Sequence, residues 1–220
     1  RLALEAGRKL SDRFPDGVVF VSLASVEAGY LLPPALAEIW SLRLGTRVPS
    51  FQGSGSSGSF EELIDFLREK QMLLILDNLE QIASDLGPLR EILARARGAV
   101  VLATSRARLR LAGEQVLEVE GLPWPARKAP PEDVSRCASV RLFVQAVRRA
   151  RSPFTPARAE LVAAGEIARR LRGHPLGIEL AASWVHSLGV TEIAAQLAAG
   201  LDLEAAPQAD VPPRHRSLRV

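Results

Sequence analysis

Cysteine is nearly absent from this 220-residue sequence. Cys137 stands alone, which rules out an internal disulfide framework and fits a reducing compartment, so a cytoplasmic location is expected. Lysine is almost as scarce: Lys9, Lys70 and Lys128 are the only three, nearly all the positive charge is arginine, and the net charge is only +3. Aromatic residues make up 5% of the chain, and there is neither a basic run nor an aromatic-rich strand. Direct nucleic-acid binding by this segment is therefore not expected. No apolar stretch approaches a membrane span and no signal-peptide pattern opens the chain, which argues against a membrane partner. His174, His186 and His215 show no metal-ligand spacing with one another or with Cys137. No serine has an evident His–Asp partner set, so nucleophilic catalysis has little to build on. No internal repeat is apparent.

Apolar residues are plentiful at 47%, and the charged 24% is mixed in sign, the composition of a globular chain with one large domain or two small ones. Arg1 to Arg13 places Leu2, Ala6 and Leu10 on one helical face and stops at Phe14-Pro15-Asp16-Gly17. Gly17 to Leu23 is a short apolar run rich in β-branched residues, as in a strand buried on both faces of a parallel sheet. Pro33-Pro34 opens a helix to about Leu42. A Gly/Ser loop from Gly53 to Ser59 precedes an amphipathic helix, Phe60 to Lys70. Met72 to Leu76 is a second buried strand, ending on Asp77. A helix over about Leu86–Ala96 leads to a third strand, Ala99–Ala103, ending on Thr104-Ser105-Arg106, and Gln115–Val119 reads as a weaker fourth. Strands alternating with helices predict a parallel α/β sheet.

After Gly121 the character changes. Leu122-Pro123-Trp124-Pro125 and the proline-rich stretch to Asp133 read as a linker. Helices follow at about Ser139–Ala150, Pro156–Leu171, Pro175–Leu188 and Val190–Ala198, then a polar tail from Ala205 to Arg216. The expected division is an α/β domain over 1–130, a small helical domain over 131–204 and a linker over 205–220.

A buried strand that ends on a carboxylate, as Leu73-Leu74-Ile75-Leu76-Asp77 does, is how a P-loop NTPase fixes a Mg²⁺ ligand at the sheet edge where ligands bind. Alone, Asp77 reads equally well as a turn or helix-cap residue. Thr104 and Arg106 end the next strand at the same edge, where an arginine could reach a phosphate; a plain surface arginine would look the same. Gly173 and Pro175 can simply end one helix and begin the next. The glycine pattern Gly53-Ser-Gly55-Ser-Ser-Gly58 matches a dinucleotide fingerprint but lacks a buried strand before it, so a flexible loop is expected instead.

Order and spacing are more specific than any one feature. Leu74-Ile-Leu-Asp-Asn-Leu-Glu80, Leu102-Ala-Thr-Ser-Arg106, Gly113-Glu114, Leu122-Pro-Trp-Pro125, Arg141-Leu-Phe-Val144 and Gly173-His-Pro-Leu-Gly-Ile-Glu-Leu-Ala-Ala182 together resemble the STAND ATPases. The closest likeness is to the NB-ARC-like domains of large bacterial transcriptional regulators. Arg214 to Arg219 looks like the entry to a winged-helix part.

The resemblance implies a P-loop NTPase-type sheet and an ATP/ADP-dependent switch with Mg²⁺. In it Asp77 would be the Walker B carboxylate and metal ligand and Arg106 the sensor arginine facing the γ-phosphate. Thr104 would be among the nucleotide-binding residues, with Gly173 and Pro175, in the family's Gly-x-Pro motif, near adenine and ribose. It also implies winged-helix, sensor-repeat and DNA-binding effector domains in the same longer chain, and self-association driven by nucleotide.

Two departures qualify this. The phosphate-binding loop G-x-x-x-x-G-K-[ST] is not among these 220 residues, none of the three lysines completes it, and the strand that feeds it, central in the family's sheet, is expected to be missing too. Most phosphate affinity should go with it, so this fragment alone is expected to be inactive. Asn78 stands where related ATPases often place a general base, and asparagine cannot accept a proton. Glu80 is the remaining acid nearby, either a substitute base or an acid at a helix N-terminus. Slow hydrolysis or none is expected. The competing expectation is a degenerate scaffold for protein contacts that does not bind nucleotide.

Overall fold

In a computed structural model, residues 1–26, 28–44, 57–200, 203–204 and 217–218 are described. They form an α/β protein that divides into two compact units, Arg1–Val116 and Leu117–Val220.

The first unit is built on three parallel strands in the order β1 (Val18–Ser22), β2 (Met72–Asp77) and β3 (Ala99–Ala103). Register pairs such as Val19 with Leu74 and Leu74 with Val101 align them. Alternation along a strand sends neighbouring side chains to opposite faces. Val19, Val21, Met72, Leu74 and Leu76 enter the main core with Leu36, Leu63, Leu67, Leu89 and Ile92. Those partners come from α2 (Leu32–Leu44), α3 (Ser57–Arg68) and α4 (Gly87–Arg95). On the other face α1 (Leu2–Leu10) packs on β1 and β2. A Cβ at Gly7 would lie 2.4 Å from Ile75 Cδ1, so glycine permits the helix to approach this closely. β2 is covered on both faces, which is why its sequence is an unbroken apolar run.

Asp16 fastens the entry to the sheet. Its carboxylate accepts from the Gln71 amide at 2.8 Å and pairs with Lys70 Nζ at 3.2 Å, which together hold it below the usual carboxylate range. Lys70 thus sits before β2, roughly 20 Å of strand from the end that carries Asp77.

The fourth strand does not form. Residues 115–121 have no regular secondary structure, and Leu117 and Val119 are 83% and 70% exposed. Among the described residues no strand runs alongside this stretch, and the outer edge of β3 also lacks a partner strand. Alternating apolar residues make a strand only where a neighbour can take their backbone hydrogen bonds. Of the Gly/Ser stretch, residues 53–56 lie outside the described residues, and from Ser57 onward it is already the first turn of α3. The polar stretch 205–216 lies outside them as well.

The second unit is helical: α5 (Pro131–Arg136), α6 (Ala138–Ala150), α7 (Arg158–Arg170), α8 (Pro175–Ser183) and α9 (Val190–Ala198), with a two-residue antiparallel pair, β4 (Leu203–Glu204) and β5 (Ser217–Leu218). Phe143, Val147, Ile167, Ile178 and Ile193 fill its core. Glu160 and Glu192 reach back three residues to the amides of Ala157 and Gly189, satisfying a free donor at the start of α7 and of α9. The stretch that reads as a linker is docked here. Pro123 O accepts from the buried Ser139 Oγ at 2.6 Å and from Cys137 Sγ at 3.0 Å, and the Leu122 amide donates to Gly173 O at 2.8 Å. Among the described residues no helix is long and apolar enough to cross a membrane.

Candidate functional site

Two adjacent parallel strands deliver polar residues to one edge of the sheet. β2 ends on Asp77, and β3 runs into Thr104. Past the strands the two chains stay joined, with the Thr104 amide donating to Leu76 O and the Leu79 amide to Thr104 O, each at 2.9 Å. Asn78, between them, turns the chain through the left-handed region at φ 65°, where asparagine is among the few side chains tolerated. Thr104 Oγ1 fits into the turn so made. It donates to Asp77 Oδ1 at 2.5 Å and accepts from the Asn78 amide at 3.1 Å. One hydroxyl therefore orients the carboxylate and satisfies the amide beside it.

Glu80 follows in a short 3₁₀ turn, Leu79–Ile82. Its Oε1 lies 3.5 Å from Arg106 Nε, while Oε2 is buried with no hydrogen-bond partner. A buried carboxylate oxygen left unsatisfied is costly. Arg106 itself is 84% exposed. An exposed pair of this kind adds little stability. Asp77, Glu80, Thr104 and Arg106 are thus brought together within the first unit, as a carboxylate, a second acid, a hydroxyl and an exposed guanidinium. None of the three lysines joins them within that unit: Lys70 is at the far end of β2, and Lys9 is on α1.

Gly173 and Pro175 lie in the second unit. Arg172 and Gly173 take successive positive φ values of 47° and 66°, reversing the chain between α7 and α8. His174 caps α8, its Nδ1 accepting from the Gly177 amide at 3.1 Å, and Pro175 occupies the first turn. The Leu122 backbone fills the space beside Gly173: a Cβ there would come within 1.8 Å of Leu122 O. That packing by itself calls for glycine at this position.

Sequence reasoning passed over two contributors, Asn78 as the turn former and Glu114, which accepts from the amides of Leu109 and Leu111 in the loop after Arg106. The left-handed turn could have been suspected from asparagine directly after a strand-ending acid. Among the described residues no three His, Cys, Asp or Glu side chains converge on a metal-sized site.

The Thr104 bridge yields a stability prediction. Replacing Thr104 by valine keeps the shape but strands both the Asp77 oxygen and the Asn78 amide, and should cost about 1–3 kcal/mol. Replacing it by serine should cost much less. Denaturant midpoints of the two variants compare these directly, and equal midpoints would mean that the hydroxyl bridge carries no weight.

No family model matches the chain. It is similar to a provisionally named HTH-type transcriptional regulator of Mycobacterium bovis, 31% identical over 196 residues, which covers 88% of this chain and 20% of that protein. A protein of the same provisional name from Mycobacterium tuberculosis matches to the same extent. An uncharacterized protein of Mycobacterium tuberculosis is 30% identical over 198 residues, covering 90% of this chain and 45% of its own length. The chain therefore spans about a fifth of the length of the first two relatives and less than half of the third.

Proposed function

We propose that this chain is the core of a nucleotide-dependent switch in a larger transcriptional regulator, of the STAND and NB-ARC-like kind. The observation that carries the proposal is the pairing of β2 with β3, which sets Asp77 and the Thr104–Arg106 turn side by side at the C-terminal edge of a parallel sheet. That edge is where open α/β folds take their ligands. An oxygen-donor carboxylate held by a hydroxyl suits Mg²⁺, which is commonly bound through one or two carboxylates with phosphate and water completing its shell. A guanidinium resting loosely on Glu80 can leave it for a phosphate, to which it binds in bidentate fashion. Similarity to proteins named as transcriptional regulators supports a regulatory role.

The residues at this edge fit Mg²⁺ and a terminal phosphate but supply no cradle for the rest of the polyphosphate. In the proposed switch that cradle, with its lysine, comes on an added strand that pairs with the outer edge of β3. Gly173 and Pro175 are proposed as contacts for the adenine and ribose in the assembled switch. Glu80 is proposed as the acid that orients an attacking water. Hydrolysis, where it occurs, is slow and resets the switch. Self-association driven by nucleotide, and the winged-helix, sensor and effector domains of a longer chain, belong to the same proposal.

Titration of Mg-ATP and ADP into the chain, and into a natural chain extended upstream, tests it. The extended chain should bind, and Asp77→Asn should weaken Mg-dependent binding at least about tenfold while leaving binding in EDTA little changed. If neither chain binds although both are folded, the protein is a scaffold for protein contacts, and Asp77, Arg106 and Pro175 carry no nucleotide.

A further inference from the structure

The chain leaves β3 through a loop with a two-residue rhythm. Residues 105–108 and Arg110 are exposed, Leu109 and Leu111 are half-buried, and the amides of Ala107, Leu109 and Leu111 are hydrogen-bonded. Ser105 Oγ takes the first, at 3.1 Å, and donates in turn to Ala107 O at 2.7 Å. Glu114 takes the other two, Leu109 N on Oε1 at 3.0 Å and Leu111 N on Oε2 at 3.3 Å. Between them Arg110 turns through the left-handed region at φ 56°, and the Glu114 amide closes the loop on Leu111 O at 3.1 Å. Successive amides converging on one centre through a left-handed residue make a nest for an anion, and here the anion is the chain's own carboxylate. Glu114 is accordingly held below the ordinary glutamate range, first by the Leu109 amide and further by those of Arg110 and Leu111 and by the charge of Arg108. The side chains of Leu109 and Leu111 pack against the main core from the same loop.

A rhythm of two has a weakness. Slipping the loop by one residue would draw Leu109 and Leu111 off the core they pack against and bring arginines to their positions. We propose that Glu114 is the positioning residue that fixes this register and so aims Arg106 at the Asp77 edge. This role rests on the nucleotide reading above, in which Arg106 meets a phosphate. Glu114 touches no ligand; it acts through the loop backbone.

The test uses NMR of the 220-residue chain together with nucleotide titration of the extended one. In Glu114→Ala, exchange of the Leu109 and Leu111 amides should speed up at least about tenfold, and the Arg106 Nε resonance should move to the position of a freely solvated arginine. Amides of the central strand such as Leu74 should exchange as before, showing that the fold is intact. Glu114→Gln retains one acceptor oxygen and should restore part of the protection. In the extended chain Glu114→Ala should weaken Mg-ATP binding about tenfold, and Glu114→Gln less. Unchanged loop amides in Glu114→Ala overturn the proposal. So does a released loop whose Arg106 signal stays in place, or one that leaves Mg-ATP affinity unaltered. If the wild-type extended chain does not bind Mg-ATP at all, it is the nucleotide reading that falls, while the exchange data still decide whether Glu114 sets the register.

Discussion

Gly173→Ala is expected to destabilise the helical unit by at least about 3 kcal/mol. Three costs add up at this position. A non-glycine residue at φ 66° pays roughly 1–2 kcal/mol for the left-handed backbone. The new methyl group would lie 1.8 Å from Leu122 O, which is backbone and cannot rotate away, so the Gly121–Leu122 strand of chain must be displaced. Moving it forfeits the 2.8 Å bond from the Leu122 amide to Gly173 O, a loss of about 1 kcal/mol. Since a whole domain is stable by only about 5–15 kcal/mol, a loss of this size is readily measured. Trp124 lies two residues from the displaced backbone and Trp184 follows α8, so tryptophan fluorescence in a denaturant series reports it. A midpoint shared with the wild type would show that the docking is looser than its geometry. The same variant also separates two accounts of Gly173. If it lost nucleotide affinity in the extended chain at unchanged stability, the glycine would be there for the ligand; lost stability shows that it is there for Leu122.

Leu74→Ala should cost about 2–5 kcal/mol in the sheet unit. Leu74 is fully buried in the middle of the central strand, aligned with Val19 on one side and Val101 on the other, and faces the core that Leu36, Leu63 and Leu89 share. Truncation removes the transfer energy of three carbons and leaves a cavity that strands pinned in register on both sides cannot close. Leu111→Ala, on the partly exposed loop, removes the same atoms and should cost far less. Thermal unfolding followed by far-ultraviolet circular dichroism compares the pair. Equal losses would mean that the strand relaxes into the space. Asp77 ends the strand three residues on, so looseness at Leu74 would also be felt at the carboxylate.

The ease with which β2 and Asp77 are read from sequence has the same cause as that sensitivity. A strand covered on both faces must be apolar at every position, so Met72 to Leu76 announces itself and the first polar residue marks the sheet edge. Thr104 and Arg106 follow the neighbouring apolar run, Ala99 to Ala103, although that edge strand is only partly covered. Gln115–Val119 shows the converse. Its alternation is that of a strand, yet a strand is a relation between two segments, and among the described residues no partner lies alongside. The docking of Leu122–Pro125 is equally hidden, because prolines that look like a linker's also suit a segment pinned by Ser139 and Gly173. Asn78 and Glu114 act through backbone geometry, which leaves only a faint trace in residue type: any exposed glutamate after a glycine turn looks like Glu114.

The parallel pairing of β1 with β2 also sets the order of events during folding. The bonds between Asp16 and Gln71 join residues 55 apart in the chain, so a long loop must close before a β1–β2 ladder bond offsets its entropy. α6 through α9 meet over much shorter separations and have no such delay. Until both neighbours have paired with it, Met-Leu-Leu-Ile-Leu is an uncharged run of high β propensity without proline and with an open edge, the kind of segment that joins its like in other molecules. The strand that best defines the sheet is therefore also the one whose late burial exposes the nascent chain to aggregation.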